Sequence, residues 1–198
     1  MPDTAPSLPR PELTLPAAEA AALRSAYGAA QGILEYGSGG STVMAAEMPG
    51  KQVVAVESDP DWAAMMQAWF AQNPPVSAVE VRHADIGGTE NWGYPLDDSG
   101  WRGFAAYPLG VWDDLAFHPD VVLVDGRFRL GCAMATAFRI SRPVALLIDD
   151  YGDRPEYRPV EEFLGQPVMT GRLARFDITP QPVPADQLLR LMEWMQTP

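Results

Sequence analysis

The sequence is poor in several residues that would mark large classes of protein. Its 198 residues include one cysteine, Cys132, and one lysine, Lys51. A single cysteine excludes a disulfide framework within the chain. The formal net charge is −12, which opposes nucleic-acid binding because phosphates are neutralised by clustered lysine and arginine. We therefore expect no nucleic-acid partner.

Long hydrophobic runs are also absent from the sequence. A membrane helix needs roughly 20 consecutive apolar residues, whereas runs such as Val121–Val124 and Val144–Ile148 have the length of a strand. The chain starts with Met1-Pro2-Asp3 and lacks the basic start and apolar stretch of a signal peptide. We expect a protein that is located in the cytoplasm and does not associate with a membrane.

Strand and helix patterns alternate along most of the chain. Proline-rich residues 1–16 predict an N-terminal arm without regular structure, and residues 17–198 predict one domain. Apolar runs predict strands at 32–36, 52–56, 121–124, 144–148 and 173–178, and an alternating pattern predicts one at 76–82. Helical patterns occur at 17–30, 41–48, 61–72, 130–140, 156–164 and 186–195. The alternation predicts an α/β fold with a doubly wound, mostly parallel Rossmann-like sheet of six or seven strands and helices on both faces.

An aromatic-rich insertion at residues 87–117 interrupts this alternation. Its aromatic residues are Trp92, Tyr94, Trp101, Phe104, Tyr107, Trp112 and Phe117. One interpretation is a lid or substrate-binding loop, because long ordered loops are often functional. The other is a local hydrophobic cluster that fixes the insertion to the domain. Exposed aromatic residues there would also suit a homodimer interface.

A glycine-containing loop ends the first predicted strand, in the run Glu35-Tyr36-Gly37-Ser38-Gly39. Alternate glycines let a backbone approach a ligand closely, and the helix that follows offers unpaired N–H groups. The next strand ends at Glu57, where a carboxylate can bind both hydroxyls of a ribose. The pattern therefore predicts an adenosine-containing ligand.

Two classes of adenosine cofactor compete for this pattern. A dinucleotide site favours a third glycine where this chain has Thr42, and it disfavours a negative charge such as Glu35 beside the pyrophosphate. A carboxylate at that place suits a ligand with a cationic end, such as an ammonium or a sulfonium group. A phosphate-binding P-loop is excluded because no lysine follows the glycines. The balance favours S-adenosylmethionine over NAD.

The order of these motifs resembles the class I S-adenosylmethionine-dependent methyltransferases. The resemblance rests on Glu35-x-Gly37-x-Gly39, then Glu57, then Asp85 in the run His83-Ala84-Asp85-Ile86, and it extends from Ile33 to about Ile178. Ser41 stands where the family often has a third glycine. The resemblance implies that the loop surrounds the methionine and ribose, that Glu57 holds the ribose and that Asp85 meets the adenine. The cofactor-binding residues that it implies are Glu35, Gly37, Ser38, Gly39, Glu57, Ser58, Asp85 and Ile86.

Three acidic residues follow the fourth and fifth predicted strands. Asp125 ends the fourth strand, and Asp149 and Asp150 end the fifth. Neighbouring strand ends bring these carboxylates together, and hard oxygen ligands predict a Mg²⁺ site formed by all three. The arrangement resembles the metal-dependent O-methyltransferases, in which a metal orients a hydroxyl pair and lowers its pKa.

A catalytic base is the missing part of that resemblance. Catechol-type enzymes have a lysine three residues after the first metal-binding acid, and this chain has Phe128 there. The remaining candidates for catalytic residues are Asp125 and Asp149, which can act as bases without a metal. The alternative is structural: Asp125 begins a turn, and Asp150 caps the next helix.

Two arginines, Arg127 and Arg129, follow the first of these acids. They either bind a carboxylate or phosphate of a substrate or pair with the surplus acids. The predicted function is S-adenosylmethionine-dependent methyl transfer to a small-molecule acceptor, at oxygen. An NAD-dependent oxidoreductase and a non-catalytic methyltransferase-like binding domain are the alternatives.

Overall fold

The computed structural model describes residues 8–198, so the first seven residues of the predicted arm lie outside the described part. Residues 8–16 contain no helix or strand, but they are attached to the domain. The Arg10 guanidinium forms two hydrogen bonds with the Glu47 carboxylate, at 2.5 and 2.9 Å. Leu15 is buried in the core. This part of the arm therefore forms a wall of the domain.

Seven strands form the main sheet. They are β1 Gly32–Tyr36, β2 Gln52–Glu57, β3 Ala78–His83, β4 Val121–Val124, β5 Val144–Ile148, β6 Val168–Thr170 and β7 Leu173–Ile178. Their order is β3-β2-β1-β4-β5-β7-β6. The first five are parallel, and β7 is antiparallel to both of its neighbours. The predicted α/β fold is confirmed, and the short, largely exposed β6 is the one strand of this sheet that the apolar pattern missed.

Helices cover both faces of this sheet. They are α1 Ala17–Ala29, α2 Gly40–Ala46, α3 Pro60–Gln72, α4 Trp101–Phe104, α5 Ala106–Leu109, α6 Arg129–Arg139, α7 Glu161–Leu164 and α8 Leu188–Met195. The alternation of side chains along β1 serves both faces: Leu34 packs in the cluster that includes α6 and α8, and Ile33 in the cluster that includes α1 and α2. No helix within residues 8–198 has the length and apolar character required to cross a membrane.

The helix predicted at 156–164 was wrong over its first five residues. Residues Pro155–Val160 form 3₁₀ turns, and only Glu161–Leu164 are α-helical. Pro159 lies inside the turns, and proline lacks the N–H that an α-helix needs at that position.

The aromatic-rich insertion divides into two parts with different surroundings. In its second part, Phe104, Tyr107 and Val111 are buried in the core beside α6. Its first part is a two-stranded hairpin, Thr89–Glu90 with Tyr94–Pro95, and the Trp92 side chain in the connecting turn is 85% exposed. The cluster interpretation therefore describes the helices α4 and α5, whereas the hairpin lies at the sheet edge that carries the candidate site.

Candidate functional site

The glycine loop lies where the direction of strand progression reverses, between β1 and β4, the usual ligand position in an open parallel sheet. Gly37 has a φ of +96°, and a Cβ at this residue would lie 2.9 Å from the backbone nitrogen of Gly126. A side chain is therefore excluded on both conformational and steric grounds. The Gly37 N–H also donates to the carbonyl of Val56 at 2.8 Å, so the loop is held between β2 and β4.

The loop forms one wall of a cavity of about 450 Å³, which we call the loop cavity. This size is typical of small-molecule sites. Five of the predicted cofactor residues line the loop cavity: Gly37, Ser38, Gly39, Glu57 and Ser58. Residues that the motif analysis did not single out complete its walls, among them Glu12 and Thr14 of the arm, Trp62 of α3 and Trp92 of the hairpin.

Glu57 holds its carboxylate in a fixed orientation at the end of β2. Its Oε2 accepts hydrogen bonds from the backbone N–H and the hydroxyl of Ser38, at 3.0 and 2.9 Å. Its Oε1 accepts from the backbone N–H groups of Ser58 and Asp59, at 2.8 and 3.1 Å. Of the four donors, the Ser38 hydroxyl is the one that can rotate away. The carboxylate can then accept a hydrogen bond from a ligand hydroxyl in the loop cavity.

Glu35 is placed differently from the other predicted cofactor residues. It shares the β1 face of Ile33, so its side chain points towards α1 and α2, where it is fully buried and does not line the loop cavity. Tyr27 Oη and Thr42 Oγ1 each donate to its carboxylate at 2.5 Å, and Thr42 Oγ1 accepts from the Gly39 N–H at 3.0 Å. Burial raises the pKa of Glu35 to about 7. Glu35 therefore stabilises the glycine loop through Thr42, from the face of the sheet that carries α1 and α2.

Glu35→Gln should change how stability depends on pH. The folded protein binds a proton at Glu35 with a pKa of about 7, above the ordinary 4.5, so the free energy of unfolding falls as pH rises through that interval. The shift corresponds to about 3 kcal/mol. A neutral glutamine removes this contribution, so urea unfolding between pH 4.5 and 8 should show a shallower decline for the variant.

The exposed Glu156 provides a matched control for this experiment. Glu156→Gln should keep the pH dependence of the parent protein. If the free energy of unfolding depends on pH in the same way for Glu35→Gln and the parent, burial does not raise the pKa of Glu35 as described.

Asp85 and Ile86 lie outside the loop cavity as the structure has it. The exposed Asp85 carboxylate accepts the Gly87 N–H at 2.9 Å, which closes a local turn. Ile86 is buried in the core with Phe104. The Ser58 hydroxyl, which lines the loop cavity, donates to the carbonyl of Gly93 in the hairpin at 2.8 Å. Adenine binding by Asp85 and Ile86 remains a prediction.

A second cavity, of about 560 Å³, adjoins the first at the ends of β4 and β5. We call it the acid cavity because Asp125, Asp149 and Asp150 line it. One carboxylate oxygen from each residue lies within 4.8 Å of the others, so the structure brings together the three acids that the strand ends predicted. Asp149 is almost fully buried, whereas Asp125 and Asp150 are partly exposed.

Arginines already neutralise these acids. Arg172 donates from Nε and Nη2 to both oxygens of Asp149, at 3.1 and 2.8 Å, and its Nη1 lies 3.3 Å from Asp150. The buried Arg129 places Nη2 3.3 Å from Asp125 and 3.2 Å from Asp150. The pairing interpretation is therefore confirmed for Arg129. This arrangement disfavours a divalent cation, because guanidinium groups hydrogen-bond to both oxygens of Asp149 and lie 3.2 and 3.3 Å from the two oxygens of Asp150.

Asp125 joins the two cavities. It lines both of them, together with Thr14 and Trp92. Burial raises the pKa of Asp125 to about 7; the Arg129 charge acts in the opposite direction, and Asp149 and Asp150 raise the pKa further. A carboxyl group that titrates near neutral pH, at the junction of two cavities, suits a proton acceptor.

The backbone at this edge of the sheet is strained. Among residues 8–198, the non-glycine residues with positive φ are Trp92, Phe128 and Asp150, with values of 65°, 52° and 59°. Trp92 and Asp150 line the acid cavity, and Phe128 lies between Arg127 and Arg129. Strained conformations persist only where the surrounding packing fixes them, and they concentrate at functional sites.

Solved structures resemble this chain closely, although no protein-family model and no curated protein matches its sequence. A methyltransferase-like protein from Silicibacter pomeroyi is 59% identical over 96% of this chain and 99% of its own, with a TM-score of 0.91. The chain belongs to the same methyltransferase-like family. The predicted resemblance to the class I S-adenosylmethionine-dependent methyltransferases is confirmed for the fold.

Two more distant structures share the methyltransferase fold. TomG, an O-methyltransferase from Streptomyces achromogenes solved with S-adenosylmethionine, is 18% identical over 85% of this chain and 82% of its own, with a TM-score of 0.56. RsmC, a 16S rRNA methyltransferase from T. thermophilus solved with the cofactor and guanosine, is 15% identical over 85% of this chain and 44% of its own, with a TM-score of 0.52. These identities show the fold alone.

Sequence analysis of this methyltransferase missed Arg172, which pairs with the most buried acid of the site. Arg172 directly precedes β7, and β7 runs antiparallel to β5. The start of β7 therefore lies beside the end of β5, where Asp149 is located. An antiparallel direction for β7 was the only signal that could have placed Arg172 at the site, and local sequence patterns do not reveal strand direction.

Proposed function

We propose that this methyltransferase transfers a methyl group from S-adenosylmethionine to an oxygen atom of a small-molecule acceptor. The observation that carries the proposal is the position of Asp125, which lines both the loop cavity and the acid cavity. A donor in one cavity and an acceptor in the other would meet at this carboxylate. S-adenosylmethionine, when bound, would supply a methyl group on a positively charged sulfur, so that an acceptor oxygen attacking the methyl carbon would release S-adenosylhomocysteine.

The loop cavity supplies the contacts for the donor. The backbone of Gly37 and Gly39 allows close approach, and the Glu57 carboxylate accepts from the ribose hydroxyls. Trp62 closes this side, because its Nε1 donates to the Ser38 carbonyl at 2.8 Å. Glu35 contributes indirectly through Thr42, which holds the Gly39 N–H. These residues act by alignment, which is the main source of catalysis in a direct displacement.

Asp125 and Asp149 have separate roles in the proposal. Asp125 accepts the proton of the acceptor hydroxyl as that oxygen becomes the nucleophile, so it is the catalytic residue. Asp149 is a positioning residue: both of its oxygens accept from Arg172, and neither is available for proton transfer. Arg129 fixes the orientation of Asp125 through its ion pair at 3.3 Å.

Methyl transfer should proceed without a divalent cation. Because Arg129 and Arg172 hold the carboxylates of Asp149 and Asp150, EDTA should leave both the rate of methyl transfer and the affinity for S-adenosylhomocysteine unchanged. Initial rates with EDTA and with added Mg²⁺ test this directly. A tenfold loss in EDTA that Mg²⁺ restores would support the original Mg²⁺ prediction instead.

The nature of the acceptor follows from the charge and the cavity. The net charge of −12 disfavours an RNA backbone, although the fold is shared with an rRNA methyltransferase. The acid cavity, at about 560 Å³, suits a small molecule. Cytoplasmic location and a homodimer through the insertion remain predictions.

Transfer of an isotopic label tests the proposal. The protein is incubated with methyl-labelled S-adenosylmethionine and a panel of small phenols, alcohols and hydroxy acids, and in parallel with total RNA. We expect label in a small-molecule product, formed by the parent protein and not by Asp125→Asn. Label in RNA, or label in no acceptor although the donor binds, would contradict a small-molecule methyltransferase.

A further inference from the structure

The acid cavity contains an arginine that its acids do not neutralise. Three arginines line this cavity: Arg127, Arg154 and Arg172. Arg154 and Arg172 lie within 4 Å of Asp150. Arg127 forms no ion pair with any carboxylate of residues 8–198. Even the exposed Glu90, which lines the same cavity, does not pair with it.

The guanidinium group of Arg127 also forms no hydrogen bond within the described residues. Its Nε is fully covered and has no hydrogen-bond partner among them, which is unusual for a buried polar atom. The guanidinium carbon lies 5.7 Å from the centre of the Tyr94 ring. Burial, and then the neighbouring Arg129 charge, lowers the pKa of Arg127. The group is thus a half-buried cation that lines a cavity, a state that an anion would stabilise.

The packing around Arg127 fixes the backbone segment that carries its side chain. Phe128 adopts its positive φ while fully buried, with its ring 5.2 Å from that of Phe104 and 5.5 Å from that of Tyr107. The Tyr107 hydroxyl accepts the Arg127 N–H at 3.4 Å. The insertion helices therefore fix the segment that carries Arg127, and the hairpin supplies the aromatic ring beside its guanidinium group.

We propose that Arg127 binds an anionic group of the methyl acceptor, a carboxylate or a phosphate, in the acid cavity. A guanidinium fork bonds to two oxygens of such a group. The exposed Trp92 and the Tyr94 ring line the same cavity and give it flat apolar walls, which suit an aromatic acid. Binding at Arg127 leaves the opposite end of the acceptor to reach Asp125. This inference rests on the proposed methyl-transfer function and names its substrate class.

Ligand-observed NMR titrations test the inference in two stages. The first stage measures S-adenosylhomocysteine binding, which tests the donor site alone. The second stage titrates benzoate, phenyl phosphate and the neutral isostere benzamide into protein saturated with S-adenosylhomocysteine. We expect one or both anions to bind, and benzamide to bind at least tenfold more weakly. The stronger of benzoate and phenyl phosphate identifies a carboxylate or a phosphate as the natural anionic group.

Variants assign the binding to Arg127. Arg127→Met should weaken the anion at least tenfold, and Arg127→Lys should weaken it less because the charge remains. Neither should change S-adenosylhomocysteine affinity. Arg102→Met is a matched control, because Arg102 is exposed and stacks on Trp101. Unchanged far-ultraviolet circular dichroism verifies that each variant is folded.

Two sets of outcomes overturn the inference in distinguishable ways. The proposed role of Arg127 is wrong if S-adenosylhomocysteine binds but neither anion does. It is also wrong if benzamide binds as tightly as benzoate, or if Arg127→Met binds benzoate as tightly as the parent protein. In each of these cases the methyltransferase proposal stands. If S-adenosylhomocysteine itself does not bind to folded protein, the proposed function fails and the inference fails with it.

Discussion

Asp125→Asn is expected to lower the rate of methyl transfer by about 10²–10⁴-fold, the usual contribution of a general base. Asparagine has nearly the same shape but cannot accept the proton of the acceptor hydroxyl. Because the contacts of Gly37, Gly39 and Glu57 are unchanged, S-adenosylhomocysteine affinity should stay within a few fold of the parent value. Single-turnover rates with the best acceptor of the labelling panel, together with calorimetric affinities, measure the two effects separately.

The pH profile adds a second test of the same residue. Since the pKa of Asp125 is raised to about 7, the deprotonated fraction grows as pH rises through that value. The rate should therefore increase with pH and level off above about 8, while the residual rate of Asp125→Asn should not follow this curve. Asp153→Asn, an exposed acid at the same edge of the sheet, should keep both the rate and the profile of the parent. An equal loss in both variants would contradict a base role.

Arg172→Met should produce the largest loss of stability among the site variants. It leaves the Asp149 carboxylate, whose side chain is 2% exposed, without its two charge-assisted hydrogen bonds at 3.1 and 2.8 Å. Removing one partner of a buried ion pair costs about 3–5 kcal/mol, and because the Arg172 side chain is 30% exposed, the loss should lie at the lower end of that range. Urea unfolding at pH 7 gives the free energy of unfolding for the comparison.

Arg175→Met is the matched control, since Arg175 lies on the same strand β7 and pairs at the surface with Asp177. An exposed pair contributes about 0–1 kcal/mol, so this variant should differ little from the parent. If Arg172→Met costs no more than Arg175→Met, the acid cluster is not held by arginine as the structure indicates.

The sequence was sufficient to predict the sheet because four of its five parallel strands follow largely apolar runs and the fifth, β3, follows an alternating pattern. Val121–Val124 is buried along its whole length, as such a run predicts for a strand covered on both faces. The acids at successive strand ends then placed Asp125, Asp149 and Asp150 together, since parallel strands end at one edge. These predictions need only local pattern and strand direction.

The remaining features of the site depend on contacts that are distant in sequence. Glu35 precedes a glycine loop in the manner of a ligand-binding acid, but the alternation along β1 turns it to the opposite face, towards Tyr27. The arm reaches the loop cavity because Gly40 has no side chain to keep it away. A Cβ on Gly40 would lie 2.2 Å from the backbone of Glu12, which is 28 positions earlier in the sequence. Arg172 depends on an antiparallel strand. In each case a tertiary contact decides the role of the residue.

The division of the aromatic insertion was equally beyond local reasoning. Aromatic residues occur in both parts of the insertion, yet Tyr107 is fully buried and Trp92 is 85% exposed. Burial depends on which part of the insertion packs on the sheet. The cluster interpretation describes the buried part, and the lid interpretation of the exposed hairpin remains a prediction.

A calorimetric titration with S-adenosylhomocysteine tests the central claim most directly, with NAD as the control ligand. We predict one micromolar site per chain, no binding of NAD, and at least tenfold weaker binding by Glu57→Ala, because the ribose hydroxyls lose a charged acceptor. Absence of S-adenosylhomocysteine binding to the folded parent protein would contradict the account, and NAD binding in its place would favour the oxidoreductase alternative.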